Sequence, residues 1–334
     1  MDPLSHGLVG SLLPLSLTKG KKQRSAGIVG FGSALLADFD TLISSSNDPL
    51  LNLEYHRHFT HALAFVPIGG LVAAMFFWVF LRRRHSFRQI YLWAFLGYGT
   101  AGLLDACTTY GTRIFLPFVT EKISFNLISI VDPVFTLGLL GLLVWAVKQK
   151  RTGPARLGLL FMAAYLGLGG VQKGRATEMV ESLAEQRGHE LNTLTLKPTM
   201  GNLLVWRSIY RDGETYHIDA LRPAIFGEAQ VFPGGAMMAF RLGQDLPDVP
   251  ADSVLAKDIS RFSDFSQGHL AFDPRDRHVI GDLRYAMLPN ELNPLWGIRI
   301  DPLKPEAHAL FENFRKPDPS IGRKYLSMIF GKAL

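Results

Sequence analysis

Apolar residues in the first half of the chain come in long runs separated by short basic clusters, whereas in the second half they alternate with charge and proline. The clearest run, Ala62 to Leu81, holds no charge over twenty residues. A helix rises about 1.5 Å per residue, so a run of this length crosses a hydrocarbon layer about 30 Å thick. Runs near residues 4–18, 25–42, 89–106, 130–147 and 156–171 read the same way. The pattern predicts an all-α polytopic membrane domain of about six spans over residues 1–172, followed by a soluble α+β domain over residues 173–334.

The basic clusters Lys19 to Arg24, Arg82 to Arg88 and Lys148 to Arg156 fall in alternate loops. Lys and Arg concentrate on the cytoplasmic side of spans, so these loops are expected inside. The opposite helix ends carry His6, Asp38, Asp40, the His56 to His61 segment, Asp105 and Asp132, and are expected together outside, as is the tail after the last span. The first run is read as an uncleaved helix, not a signal peptide, because its basic residues follow the apolar stretch and no clear small-x-small cleavage site appears.

In the second half, Arg175 to Arg187 is a polar amphipathic stretch that reads as a helix leaving the membrane. Leu203 to Tyr210 and Thr215 to Leu221, joined by Arg211-Asp212-Gly213-Glu214, predict a β-hairpin, since Asp-Gly supplies the turn. Apolar patches around Phe240, Leu270, Tyr285 and Ile298 offer further strands. His189, His217, His269, His278 and His308 are scattered without ligand spacing and read as surface or core histidines.

Net charge is +6, with no basic run interleaved with aromatics, so nucleic acid is not an expected partner and membrane lipid is. The single cysteine, Cys107, excludes an internal disulfide and a multi-thiolate zinc site, and reads as a small buried apolar residue. There is no Gly-rich phosphate loop, G-x-S-x-G elbow or H-E-x-x-H helix.

The remaining chemistry is a set of imidazoles and carboxylates. His6, Asp38, Asp40, His56, His58, His61 and Asp105 are candidate metal ligands, because neutral imidazole and ionised carboxylate are the usual non-thiolate donors to zinc, manganese or iron. Ionisable groups at membrane depth are costly and usually functional. Thr60 offers an N-cap for a helix starting at His61, which leaves His56 and His58 in the incoming loop. Asp40 or Asp105 is the candidate proton acceptor, and Arg57 the candidate grip on a phosphate oxygen. His85, beside Arg82 to Arg84, belongs to the opposite loop.

At these residues the chain resembles the YdjM-type bacterial inner-membrane proteins, described as metal-dependent hydrolases. The matching pieces are His6 with Gly7 and Gly10, Ala37-Asp38-Phe39-Asp40, His56-Arg57 with Thr60-His61, Leu103-Leu104-Asp105 followed by Thr109-Tyr110-Gly111, and Val131-Asp132-Pro133. Lys197-Pro198-Thr199, Gly201 to Ser208 and Pro294 to Arg299 look like a longer subgroup with a C-terminal soluble domain. The resemblance implies a helical inner-membrane domain whose His and Asp residues bind a divalent metal, most simply zinc. It also implies a link to phospholipid metabolism and a likeness to zinc-dependent phospholipase C and nuclease folds. The chain departs from the pattern at Ala37 and Phe39, at His58 in place of a Gly, and at Ala101, where many relatives place a His four residues before the Asp. The reading is a membrane-bound metal-dependent phosphoester hydrolase with its site at the outer face and a periplasmic C-terminal domain. A scaffold or lipid-binding protein with a structural or degenerate metal site is the non-enzymatic alternative. A transporter is a third, disfavoured by the absence of polar groups in the middle of Ala62 to Leu81.

Overall fold

A computed structural model describes residues 1–225, 227–316 and 318–332. The chain divides into two compact units: Met1–Ile43 with Tyr55–Gly170 and Met200–Asn202, and Ser44–Glu54 with Val171–Thr199 and Leu203–Leu334. The first is helical, with α1 (Pro3–Leu17), α2 (Gln23–Leu36), α4 (Val66–Leu81), α5 (Phe87–Ala106), α6 (Pro133–Gln149) and the start of α7 (Thr152–Arg187). The short α3 (Leu51–Tyr55) lies at the boundary of the two units.

Six membrane spans are not found. Among the described residues, two helices have the length and hydropathy of a crossing, Leu63–Leu81 and Thr152–Arg187. The run at residues 25–42 over-reads because it continues past α2 into a 3-10 turn, Ala37–Leu42, and the runs near 4–18, 89–106 and 130–147 form helices that are short or carry polar residues. The helices α1 and α2 are 15 and 14 residues long, a rise of only about 21–23 Å against hydrocarbon of about 30 Å. The 20 residues of α5 include Arg88, Gln89, Thr100 and Asp105. The face of α4 turned inward is small, with Gly69, Gly70, Ala73 and Ala74 buried. Its outer face is large and apolar, with Ile68, Val72, Met75, Phe76, Val79 and Phe80 exposed. Small residues inside and bulky ones outside suit a helix surrounded by lipid.

The centre of this unit is a backbone crossing. A Cβ on Gly30 of α2 would run into the Gly10 carbonyl oxygen of α1, and one on Gly97 of α5 into the Gly30 carbonyl oxygen. Three helices thus touch main chain to main chain. On either side of them Leu8, Leu12, Leu15, Leu104, Phe135 and Leu139 form one buried cluster, and Ala26, Val29, Ala74, Ile90 and Trp93 another.

The second unit corrects the expectation of an α+β domain: it is built on two four-stranded antiparallel sheets, ordered β1-β2-β3-β4 and β5-β6-β7-β8. The first sheet comprises β1 (Thr193–Pro198), β2 (Trp206–Asp212), β3 (Thr215–Arg222) and β4 (Gln230–Met238). The second comprises β5 (Leu270–Asp273), β6 (Asp276–Asp282), β7 (Trp296–Arg299) and β8 (Leu310–Asn313). The expected hairpin is β2–β3, with Asp212 opposite Thr215 and Gly213 at φ 53° in the turn. Ile209, Tyr216, Ile218, Ala271 and Leu283 form a core to which both sheets contribute. Besides the end of α7 and the four-residue α8 (Leu242–Asp245), the helices here are α9 (Val254–Phe265) and α10 (Pro319–Ile329). Of the further strands offered by apolar patches, Leu270 and Ile298 fall on β5 and β7, whereas Phe240 and Tyr285 lie outside strands; β8, at 4 residues, is too short to show a period-2 signal.

The glycine crossing predicts that Gly30→Ala lowers stability by about 1–3 kcal/mol through forced separation of α1 and α2. Gly141→Ala in α6, where nothing lies within 4 Å of a Cβ, should be neutral or stabilising by up to about 1 kcal/mol. Thermal unfolding of both variants in detergent checks this, and equal melting of the two would remove the crossing's importance.

Candidate metal centre

Asp105, in the last turn of α5, is fully buried. His6 Nε2, from the first turns of α1, lies 3.0 Å from its Oδ1, and the Met1 amino group donates to the same oxygen. Its Oδ2 faces Arg57 Nε at 3.1 Å and His61 Nε2 at 3.2 Å. Arg57 Nη1 also donates to Thr108 Oγ1 at 2.9 Å, and the side chain is buried within the protein.

Past the end of α2 the chain tightens into a 3-10 turn, Ala37–Leu42. In it Asp38 and Asp40 are directed differently. Asp40 is enclosed by protein donors: its Oδ1 takes His56 Nδ1 at 2.9 Å, and its Oδ2 takes the Arg57 backbone N–H at 2.9 Å and the Thr60 hydroxyl at 2.6 Å. His61 Nδ1 lies 3.2 Å from the same Oδ2 and 3.0 Å from Thr60 Oγ1. With Nδ1 held on this side, His61 Nε2 points the other way, to Asp105 and to Asp38 Oδ1 at 3.3 Å. Asp38 keeps 21% of its side chain exposed, while Asp40 and Asp105 keep none.

Burial works against a charged His61, but the hydrogen bonds from Asp105, Asp38 and Asp40 prevail and push its pKa up to about 10. Burial likewise opposes the Asp40 carboxylate, yet His56, His61 and Thr60 hold it below the usual carboxylate range. The point between the aspartates is therefore strongly favourable to positive charge. Among the described residues, four buried atoms of this cluster have no hydrogen-bond partner: His6 Nδ1, Arg57 Nε, His61 Nε2 and Asp105 Oδ2. His6, Asp38 and Asp105 can each bring one ligand atom within 4.8 Å of the others. A mixed nitrogen and oxygen donor set of this kind, with unsatisfied buried atoms, fits a divalent transition metal.

His58 stands apart. Its ring packs against Tyr55 at 5.5 Å and Phe59 at 6.1 Å between centroids, and it is not grouped with His6, Asp38 and Asp105. Thr60 is not a helix N-cap: His61 closes a 3-10 turn, Phe59–His61, and α4 starts only at Val66. Sequence reasoning missed its actual role, the hydroxyl on Asp40, and missed Tyr98, whose hydroxyl donates to the Thr60 carbonyl at 2.8 Å. Spacing carries no signal for either. Asp132 caps α6 and accepts from Tyr165 at 2.8 Å. Cys107 is half-buried with its thiol on the Leu103 carbonyl. His85 bonds Ser25, between the basic loops.

The model of the YdjM inner membrane protein family matches residues 1–176. The chain belongs to this family. The YdjM match takes in every residue of the His and Asp cluster and ends within α7. It makes the chain an inner-membrane protein, and leaves residues 177–334 as an addition to the matched region. No curated protein and no solved structure matches the chain.

One backbone feature of the YdjM cluster generates a test. Arg57 sits at φ 60°, a left-handed conformation that costs a non-glycine residue about 1–2 kcal/mol. It turns the Arg57 N–H to Asp40 and its side chain to Asp105. Arg57→Ala should destabilise by about 3–5 kcal/mol, the usual cost of breaking a buried pair. Arg57→Gly should be less harmful by about 1 kcal/mol, since the backbone strain goes too. Chemical or thermal unfolding in detergent reads the order, and Gly below Ala would contradict the conformation.

Proposed function

We propose that this YdjM-family protein is a metal-dependent hydrolase acting on a phosphoester of a membrane lipid at the outer face of the inner membrane. The observation that carries the reading is the convergence of His6, Asp38, His61 and Asp105 from four separate segments on one point, with buried donor atoms left unsatisfied there. These four would hold the ion. When bound, zinc or another divalent ion supplies Lewis acidity toward a phosphoryl oxygen and lowers the pKa of a water.

The chain's own residues divide the remaining work. Asp40 is a positioning residue: with Thr60 it fixes the His61 ring so that Nε2 faces inward, as outer carboxylates do for metal-bound imidazoles. Arg57 offsets the buried charge of Asp105. Asp38, the carboxylate of the cluster that reaches solvent, accepts the proton of the attacking water. Asp40 and Asp105 do not take that step, because neither side chain reaches solvent. A lipid substrate is supported by exposed apolar residues beside the cluster: Phe39, Leu42 and Phe59 flank its aspartates and histidines. Phe115 and Phe118 follow Arg113, whose N–H donates to the Arg57 carbonyl at 3.3 Å.

The charge flanks support the side of the membrane. Arg82, Arg83 and Arg84 follow the span Leu63–Leu81, and Lys148, Lys150 and Arg151 precede Thr152–Arg187. Both segments are then cytoplasmic. His61, at the other end of the first span, is outside, and so is the domain after Arg187, in the periplasm. The near-complete enclosure of His61 and Asp105 favours one other reading, a structural ion that only staples the helix ends.

Alkaline phosphatase fused after Leu334 should be active and a green fluorescent protein fused there dark; the reverse pattern would put the domain and the cluster in the cytoplasm. Purified protein should carry about one equivalent of divalent metal per site, reduced strongly by Asp38→Asn or His6→Ala and little by His85→Ala. On a panel of phosphodiester and phospholipid substrates, Asp38→Asn should lose at least about 100-fold in activity. Metal retention in wild type with no hydrolysis of any phosphoester would leave the structural reading standing. Equal metal in all four proteins would remove the site.

A further inference from the structure

The YdjM match ends before the β domain, and nothing so far assigns that domain any chemistry. Two of its scattered histidines, His189 and His217, are brought together by the fold at one corner. The helix α7 ends at Arg187, Gly188 turns the chain at φ 69°, and His189 follows immediately. His217 lies on β3 opposite Tyr210 of β2, and Asp212 ends β2 at the hairpin turn. The His189 and His217 rings are 4.0 Å apart between centroids, and Tyr210 stacks on His217 at 4.9 Å.

We propose that His189, Asp212 and His217 form a second metal site, taking a divalent transition-metal ion such as zinc. One ligand atom from each lies within 4.8 Å of the others, and all three side chains are half-buried and open to entry from solvent. Bonds of about 2.0–2.1 Å in tetrahedral geometry set donor atoms about 3.4 Å apart, so closure on an ion asks only for small side-chain rotations. Three protein ligands leave a fourth position for water.

The surroundings are those of a prepared ligand set. His189 Nδ1 is 2.7 Å from the Tyr210 hydroxyl, which leaves Nε2 for an ion. Tyr210 is in turn fixed by Arg187 NH1 at 3.2 Å, and Arg187 is tied to Asp219 by paired bonds of 2.7 and 3.0 Å. Such outer contacts orient metal-bound imidazoles. Among the described residues neither ring nitrogen of His217 makes a hydrogen bond. Among the described residues the Asp212 carboxylate accepts one long bond, 3.3 Å, from the Glu190 N–H.

A comparable group in the same unit, Asp48, Asp258 and His308, has no such vacancy for positive charge. Arg261 already supplies the cation, reaching Asp48 through NH1 and NH2 at 2.9 Å and Asp258 at 3.0 Å. Among the described residues no basic side chain plays that part for Asp212 at the first corner, where Arg187 is committed to Asp219. An ion at His189, Asp212 and His217 clamps the end of α7 to the β2–β3 hairpin.

The test uses full-length protein in detergent, stripped with a chelator and titrated with zinc against a chromophoric competitor. Wild type, His217→Gln, Asp212→Asn and Asp38→Asn are compared, with melting of the stripped proteins confirming that each is folded. Asp212→Asn sits at an exposed turn and keeps the acceptor for Glu190, so it folds even where His217→Gln does not. Expected is one zinc equivalent lost in His217→Gln and weakened at least about 10-fold in Asp212→Asn, both still showing the equivalent that Asp38→Asn removes. Cobalt in place of zinc should give visible bands whose intensity drops in the same two variants. Equal zinc stoichiometry and affinity in wild type, His217→Gln and Asp212→Asn overturns the proposal, whatever the outcome for Asp38→Asn.

Discussion

A carboxylate sealed inside a helical bundle sets the terms for the first unit. Asp105 has no exposed side chain, and an uncompensated charge there would cost several kcal/mol. Compensation comes from far along the sequence: His6 from α1, Arg57 and His61 from the segment before α4. Each of these is in turn fixed by something else, Arg57 by its left-handed backbone and His61 by Asp40 and Thr60. The cluster is a chain of dependencies that ends in a geometry, and removing any one link leaves the next charge stranded.

Convergence of that kind needs helices that approach closely enough to place their ends together. The glycine crossing of α1, α2 and α5 does this, because without side chains at Gly10, Gly30 and Gly97 the backbones touch. At the cluster end Gly102 plays a related part, since a Cβ there would strike the His61 carbonyl oxygen. In lipid there is no water to drive helices together, so close backbone packing and polar contacts do that work. The same bundle that is tight inside is greasy outside along α4.

The sequence made some of this legible and hid the rest for definite reasons. The uncharged run before Leu81 announced its span, and the hairpin around Gly213 announced its turn, because both signals are local. Imidazoles and carboxylates at run ends marked where chemistry gathers. Run length did not reveal that α2 stops short of a bilayer's thickness, because its apolar run continues into a 3-10 turn. Neither Thr60 nor Tyr98 could be found, since a hydroxyl's partner is a matter of tertiary position. The corner of His189 and His217 was invisible for the same reason: 28 residues of chain, from 189 to 217, separate two rings that strand pairing then stacks.

The departures from the family pattern can now be weighed against geometry. Ala101, one turn before Asp105, is buried among Ala37, Val66 and Tyr98. The His58 ring packs against Tyr55 and Phe59. The imidazoles that meet Asp105 are those of His6 and His61. Three aspartates meet the Arg57 guanidinium and the Met1 amino group there, and the hydrogen bonds of the three carboxylates, working against burial, raise His61 to about 10. Under the metal reading proposed above, a doubly charged ion would take the place of protons on this cluster. Under that reading Ala101 lowers the donor count, while the carboxylates that would attract an ion remain.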